Sequence, residues 1–199
     1  MSLVTVILNH FINQTMKKRC EWAKDEPNTT YHDDEWGTPQ HDDQKLFEFL
    51  ILEGAQAGLS WTTILNRREG YVKAFSNFDA KKVSKYTQKR VEKLLIDESI
   101  IRNRLKVNSA INNAKLFLKI QNEFGSFDKY LWGFVNGKPI RNKFKKHSEI
   151  PATSVISEKL SKDLKKRGFN FVGPTICYAL MQAIGMVNDH TSECYLYQK

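Results

Sequence analysis

Apolar residues recur at helical spacing along almost the whole chain, and alternating strand-like runs are nearly absent. That pattern restricts the fold to a mainly α architecture, in which each helix buries one stripe. In residues 42–53, Leu46, Phe47, Phe49, Leu50 and Ile51 crowd one side, with Asp42 placed as N-cap. A second helix carries Trp61, Ile64 and Leu65 after a break at Gly58. Asp79 and Thr87 stand as N-caps of two short helices, the latter bearing Val91, Leu94 and Leu95. Residues 105–124 read as one long helix ended by Gly125. Residues 127–135 form a short aromatic helix, and 137–151 an irregular basic loop. Residues 157–167 and 174–184 are two more helices, stopped by Gly168 and Gly185. The reading is of about nine short helices.

A chain of 199 residues buries a real core without disulfide staples. We read residues 16–199 as a single helical domain, or one with a small lobe. Met16, followed by Lys17, Lys18 and Arg19, resembles a natural start, so residues 1–15 read as an upstream extension or a vector-derived remnant. The apolar stretch at residues 3–12 is too short to span a bilayer and lacks a basic flank and a cleavage site. The three cysteines, Cys20, Cys177 and Cys194, make no closed disulfide framework, which fits a reducing cytoplasm. No membrane association is expected.

Charge is unevenly placed. Residues 1–100 carry 14 basic and 15 acidic side chains, whereas residues 101–199 carry 17 and 7. A half-chain this basic suits a polyanion, with nucleic acid first and an acidic membrane surface second. A solubilising surface is the plain alternative.

Three groups of residues can carry chemistry. Cys20 and His32 near the start, with His190 and Cys194 four apart near the end, supply two thiols and two imidazoles, a tetrahedral zinc set by donor type. Spacing alone does not separate that set from unrelated polar residues near two termini. Trp22, Tyr31, Trp36 and Trp61 flank polar segments, where rings stack on nucleobases or simply fill a core. Glu53 ends an apolar helix and is followed by Gly54-Ala55-Gln56-Ala57-Gly58, small residues that leave room for something large and flat. Exposed, it would be an ordinary helix-end carboxylate; buried, it would need a partner.

These segments together resemble the bacterial 3-methyladenine DNA glycosylase I family. The resemblance rests on Cys20-Glu21-Trp22, Tyr31-His32-Asp33-Asp34-Glu35-Trp36-Gly37, residues 52–61, Ile100-Ile101-Arg102-Asn103-Arg104, residues 165–178 and Val187-Asn188-Asp189-His190. It runs in order from Lys18 to Cys194, nearly the whole chain. It implies a helix-hairpin-helix glycosylase fold and hydrolysis of the N-glycosidic bond of 3-methyladenine in alkylated double-stranded DNA, with free 3-methyladenine as product. It implies a structural zinc joining the two termini through Cys20, His32, His190 and Cys194. It also implies a base pocket of Glu53 with Trp22, Tyr31 and Trp61, in which Glu53 is the catalytic candidate. Cys177 is expected to be a buried, metal-free thiol, and the enzyme a monomer.

For the DNA grip we expect Arg102, Arg104 and Lys106 at the hairpin, and Lys165, Lys166 and Arg167 before Gly168. Gly58 and Leu59 are expected to meet the DNA as well, with Leu59 wedging into the stack that the base has left. Glu53 is expected to be ionised and to read the amino edge of adenine. No aspartate follows Arg104 within residues 105–110, where many helix-hairpin-helix glycosylases keep a catalytic one. That fits an enzyme for labile, already cationic lesions. The family pattern is broken twice. Ser99 stands where glycine is usual, so a strained turn is expected if that position needs positive φ. The segment Pro27-Asn28-Thr29-Thr30 is one residue shorter and lacks a second tyrosine, so one pocket wall is expected to differ. Two other functions compete: a zinc-stabilised helical DNA-binding module without catalysis, and a domain whose basic half meets an acidic protein.

Overall fold

A computed structural model describes residues 17–198; the expected extension at residues 1–15 lies outside them. In chain order the described helices are α1 (Asn28–Asp34), α2 (Asp43–Gln56), α3 (Trp61–Leu65), α4 (Arg68–Ala74), α5 (Ala80–Val83), α6 (Gln88–Leu95) and α7 (Arg104–Phe124). Then come α8 (Phe127–Gly133), α9 (Val155–Lys166) and α10 (Pro174–Ala183), with short 3-10 turns at Ser76–Phe78 and His147–Glu149. The mainly α expectation therefore holds among the described residues.

Local chemistry explains most boundaries. Asp42 and Asp79 cap as expected, accepting from the amides of Lys45 and Lys82. Thr87 occupies the N-cap position of α6, but its side chain makes no capping bond. Helix α9 starts earlier than residue 157, because Ser154 and Ser157 form a reciprocal capping box. Helices α1 and α4 were not expected. Each buries only two residues, Tyr31 and His32 in one and Tyr71 and Ala74 in the other, too few for a visible stripe. The basic loop at 137–151 contains strand β1 (Ile140–Arg141), which pairs in parallel with β2 (Val187–Asn188). Two residues leave no alternating pattern to read.

The core is one continuous cluster centred on α2. Leu46, Phe47, Leu50 and Leu52 are buried there against Phe117 of α7, Phe127 of α8 and Leu180 of α10. Helix α2 is so enclosed that even Glu48 and Glu53 are buried. Arg68 of α4 neutralises the first, donating to Glu48 at 2.7 Å and to Glu35 at 2.6 and 2.7 Å. This ties α4 to α2 and to the end of α1.

Helices α6 and α7 pack together through the turn at residues 96–103. Ser99 is not in the left-handed region, so the expected strain is absent. Its amide and hydroxyl both donate to Asp97 Oδ1, at 2.9 and 2.6 Å. Room for the turn comes from Gly70 on α4, where a Cβ would lie 2.2 Å from the Ser99 carbonyl oxygen.

Candidate active site and metal centre

Helices α1, α2, α3 and α10 and the 3-10 turn at His147–Glu149 converge on an open cleft of about 360 Å³. The four base-pocket residues expected from sequence all line it: Trp22, Tyr31, Glu53 and Trp61. The volume lies in the range of small-molecule sites, about 300–1,000 Å³. The aromatic wall is built of edge and tilted contacts. Tyr31 and Trp61 have centroids 5.2 Å apart, and Trp22 meets Trp36 at 5.1 Å. Trp61 is placed by the break after α2. Gly58 takes φ +77° there, and Ser60 caps α3 through the Thr63 amide.

Glu53 reaches the cleft from the last turn of α2. Its carboxyl has no hydrogen-bond partner among the described residues, and burial pushes it up to about 8. The expectation of an ionised Glu53 is thus corrected for the protein by itself. With no cation or N–H donor beside it, desolvation keeps the proton on near pH 7. The indole Nε1 of Trp61 is buried without a partner. An unsatisfied acid and an unsatisfied donor on one cleft are costly unless a polar ligand meets them.

Sequence reading did not assign several wall residues. Trp36, Gln56 and Gln182 line the cleft, as do Asn28 and Thr62. The Asn28 amide donates to Thr62 Oγ1 at 2.9 Å, so this pair forms part of the cleft wall. The shortened segment was the available signal. His147 and Ile150 also line the cleft, brought in from the basic loop by the 3-10 turn. Nothing in their local sequence announces that.

Beside the cleft lies a buried sulfur–nitrogen cluster. The ligand atoms of Cys20, His32 and Cys194 all fall within 4.8 Å of one another. His32 Nδ1 is 2.9 Å from Asp33 Oδ1, and its Nε2 is 3.4 Å from Cys194 Sγ. His190 Nδ1 is 3.0 Å from Asn188 Oδ1, while its Nε2 is buried with no partner. The two imidazole rings are 5.0 Å apart. Both rings turn Nδ1 to an oxygen acceptor; His32 Nε2 meets Cys194, whereas His190, the fourth expected ligand, is not among the three residues whose ligand atoms lie within 4.8 Å of one another. The hydrogen bond from Cys20 and the contact with His32 hold the Cys194 thiol down, while Cys20 is raised. Burial lowers His190 to about 4, so it is neutral and able to ligate. Although burial alone would lift it, the Asp33 carboxylate is held at about 2 by Arg19 and His32. Cys177 is buried away from this set, its Sγ 3.5 Å from the Val172 carbonyl, and burial pushes it up to about 12.

The expected DNA-facing residues divide into two kinds. Arg104, Lys165 and Lys166 are exposed, and Arg102 is exposed with one ion pair to Glu98. Leu59 is 40% exposed, beside Gly58 at the cleft end of α2. Lys106 and Arg167 have partners within the fold. Lys106 Nζ donates to the carbonyls of Ala55 and Ala57 at 2.7 and 2.8 Å, which satisfies the C-terminus of α2. Arg167 donates to Asp163 and Glu123 and lies over the rings of Phe124 and Tyr130. Both side chains are half-buried.

Comparison with known proteins agrees with this geometry. The family model described as methyladenine glycosylase matches residues 22–197. The DNA-3-methyladenine glycosylase 1 of Escherichia coli (strain K12) is 47% identical over 181 residues, covering 90% of this chain and 97% of the relative. A crystal structure of a 3-methyladenine DNA glycosylase I superposes with TM-score 0.88 at 44% identity, covering 90% of this chain and all of the other. A Staphylococcus aureus 3-methyladenine DNA glycosylase I, solved to explain its recognition of 3-methyladenine, superposes at TM-score 0.88 with 37% identity, covering 91% and 97% of the two chains.

Proposed function

The chain belongs to the methyladenine glycosylase family, and from that membership we infer that it is a DNA-repair enzyme that excises 3-methyladenine by hydrolysing its N-glycosidic bond. The observation that carries the site assignment is the buried, unpartnered carboxyl of Glu53 in an aromatic cleft. A helical DNA-binding module without catalysis needs neither the carboxyl nor the cleft.

An N3-alkylated adenine in DNA is cationic and leaves readily. The demanding steps are reaching it and stabilising the developing charge on the sugar. Extrusion costs a few kcal/mol and least at damaged pairs. Stacking on Trp22, Tyr31 or Trp61 returns about 1–3 kcal/mol per base. A cationic base and its exocyclic N–H groups reverse the desolvation that protonates Glu53, so the carboxyl ionises against the lesion. As an anion it accepts only, which selects the amino edge of adenine over the carbonyl edge of guanine. Glu53 is therefore chiefly a recognition group, with added electrostatic support for the positive sugar.

We read α6, the turn at 96–103 and α7 as the helix-hairpin-helix, with Arg102 and Arg104 on phosphate, Lys165 and Lys166 as further contacts, and Leu59 as wedge. A zinc ion held by Cys20, His32, Cys194 and His190 fits the donor set and the orphaned His190 Nε2. Four protein ligands leave no open position, so the metal would be structural. The three buried, unbridged cysteines suit a reducing compartment, which in a bacterial cell is the cytoplasm. No described helix is long and apolar enough to cross a membrane, and a monomer is sufficient for the site as built.

Chromatography of bases released from methylated DNA tests the reaction. Release of free 3-methyladenine is expected from the parent and strongly reduced release from Glu53→Gln. No release from the parent, or parental release from the variant, would overturn the reaction or the assignment respectively.

A further inference from the structure

The basic loop after α8 is pinned in place, carries three lysines with no side-chain partner among the described residues, and supplies one wall of the cleft. Residues 138–147 contain Lys138, Arg141, Lys143, Lys145 and Lys146 and no acidic residue. Lys143, Lys145 and Lys146 are exposed, with no side-chain partner among the described residues. The loop backbone is nevertheless fixed. Ile140 and Asn142 donate to the carbonyls of Met186 and Asn188, and the Ser192 amide donates to the Phe144 carbonyl at 2.8 Å. The Asn142 side chain donates to Asp189 Oδ1, whose other oxygen is held by Tyr178 and Gln182.

An exposed run of cations on a tethered backbone, ending in the cleft wall, is suited to a polyanion that also enters the cleft. We propose that this loop is a second phosphate grip, in which Lys143, Lys145 and Lys146 bind the DNA backbone beside the extruded nucleotide and His147 contacts its sugar-phosphate at the cleft mouth. The proposal rests on the glycosylase reading above. An acidic protein or an anionic membrane would use the same lysines, but neither enters the cleft that His147 and Ile150 line with Glu53. Pinning matters energetically, since a loop already ordered loses little entropy when it binds.

The test measures anisotropy of a labelled duplex, bearing a tetrahydrofuran abasic analogue, across a salt series. Replacing Lys143, Lys145 and Lys146 together by glutamine is expected to lower the salt slope by about two to three units, near 0.9 per lost phosphate contact. Binding of free 3-methyladenine and the melting temperature are expected to stay at the parental values. His147→Ala is expected to raise KM on alkylated DNA about tenfold with kcat nearly unchanged, as for loss of one charge-assisted contact. His147→Lys, which keeps a donor, is expected to restore it. An unchanged salt slope in the triple variant would overturn the loop grip, and an unchanged KM in His147→Ala would overturn the role of His147. A parent that releases no 3-methyladenine would instead defeat the reaction, while the salt slopes would still score the loop.

Discussion

Lys106 Nζ sits 2.8 Å from the carbonyl oxygen of Ala57, so the first turn of α7 closes the end of the helix that carries Glu53. The same ammonium takes the Ala55 carbonyl, and burial lowers its pKa. Helix α7 and the cleft that Glu53 lines are therefore one mechanical unit. Lys106→Ala leaves two helix-end carbonyls without that donor and is expected to cost about 1–3 kcal/mol. The salt slope of DNA binding should stay at the parental value. A slope lowered by a full unit would return Lys106 to the phosphate contacts.

Glu53 makes stability depend on pH. Its folded pKa of about 8 lies above that of an unfolded glutamate, about 4.3. The folded state holds the proton more tightly, so the stability this proton supplies is whole below pH 4 and drains as pH rises toward 8. Glu53→Gln removes the dependence. Its melting temperature is expected to match the parent near pH 4 and to exceed it at pH 8, by a few kcal/mol of stability. Parallel pH–melting curves for the two proteins would show that the carboxyl is not desolvated.

Purified protein is expected to contain one zinc per chain. Cys194→Ser should lose it and melt at lower temperature, since binding energy at such a site is folding energy. The parent should also melt lower after strong chelation. Metal analysis at background level in protein purified without chelator would remove the zinc assignment.

Arg102→Ala with Arg104→Ala is expected to lower the salt slope by about two units while the fold melts normally. Arg167→Ala should do the opposite. It breaks the contacts with Asp163 and Glu123 and the stacking on Phe124 and Tyr130, so it should destabilise by about 1–2 kcal/mol with the slope retained. Salt series and thermal melts on both variants separate the roles.

Gly70→Ala tests the close approach of α4 to the turn at residues 96–103. A Cβ 2.2 Å from the Ser99 oxygen must push the turn away from α4. A loss of about 2–4 kcal/mol is expected, with weakened DNA binding. A variant that melts and binds like the parent would mean that the turn shifts freely.

The sequence carried the large features because they are periodic or capped. Helices α2, α7, α8, α9 and α10 announce themselves by apolar stripes and by Asp42, Gly125 or Pro174 at their ends. The aromatic pocket around Glu53 was legible through the resemblance of whole segments, not through spacing. What stayed hidden was partnership at long range. Nothing near Lys106 shows that its ammonium meets carbonyls some fifty residues earlier, and nothing near Arg167 reveals Glu123. A basic side chain looks the same in sequence whether it faces phosphate or caps a helix. Ser99 illustrates the reverse: the positive φ that would have strained it is not used, its hydroxyl is satisfied by Asp97, and the glycine that makes room stands on α4.

The sulfur–nitrogen cluster also sets an order of events on the ribosome. Cys20 and His32 emerge early, whereas His190 and Cys194 come about 160 residues later, and the Tyr195 amide then closes on the Lys18 carbonyl. Until that closure the two early side chains wait without their partners. Contacts so distant in sequence form late and slowly. A chain stalled before residue 187 would hold Glu53 and its helix, yet would have neither a sealed cluster nor the β2 segment that anchors the basic wall. Closure of the cluster therefore waits for the segment that carries Cys194 and Tyr195.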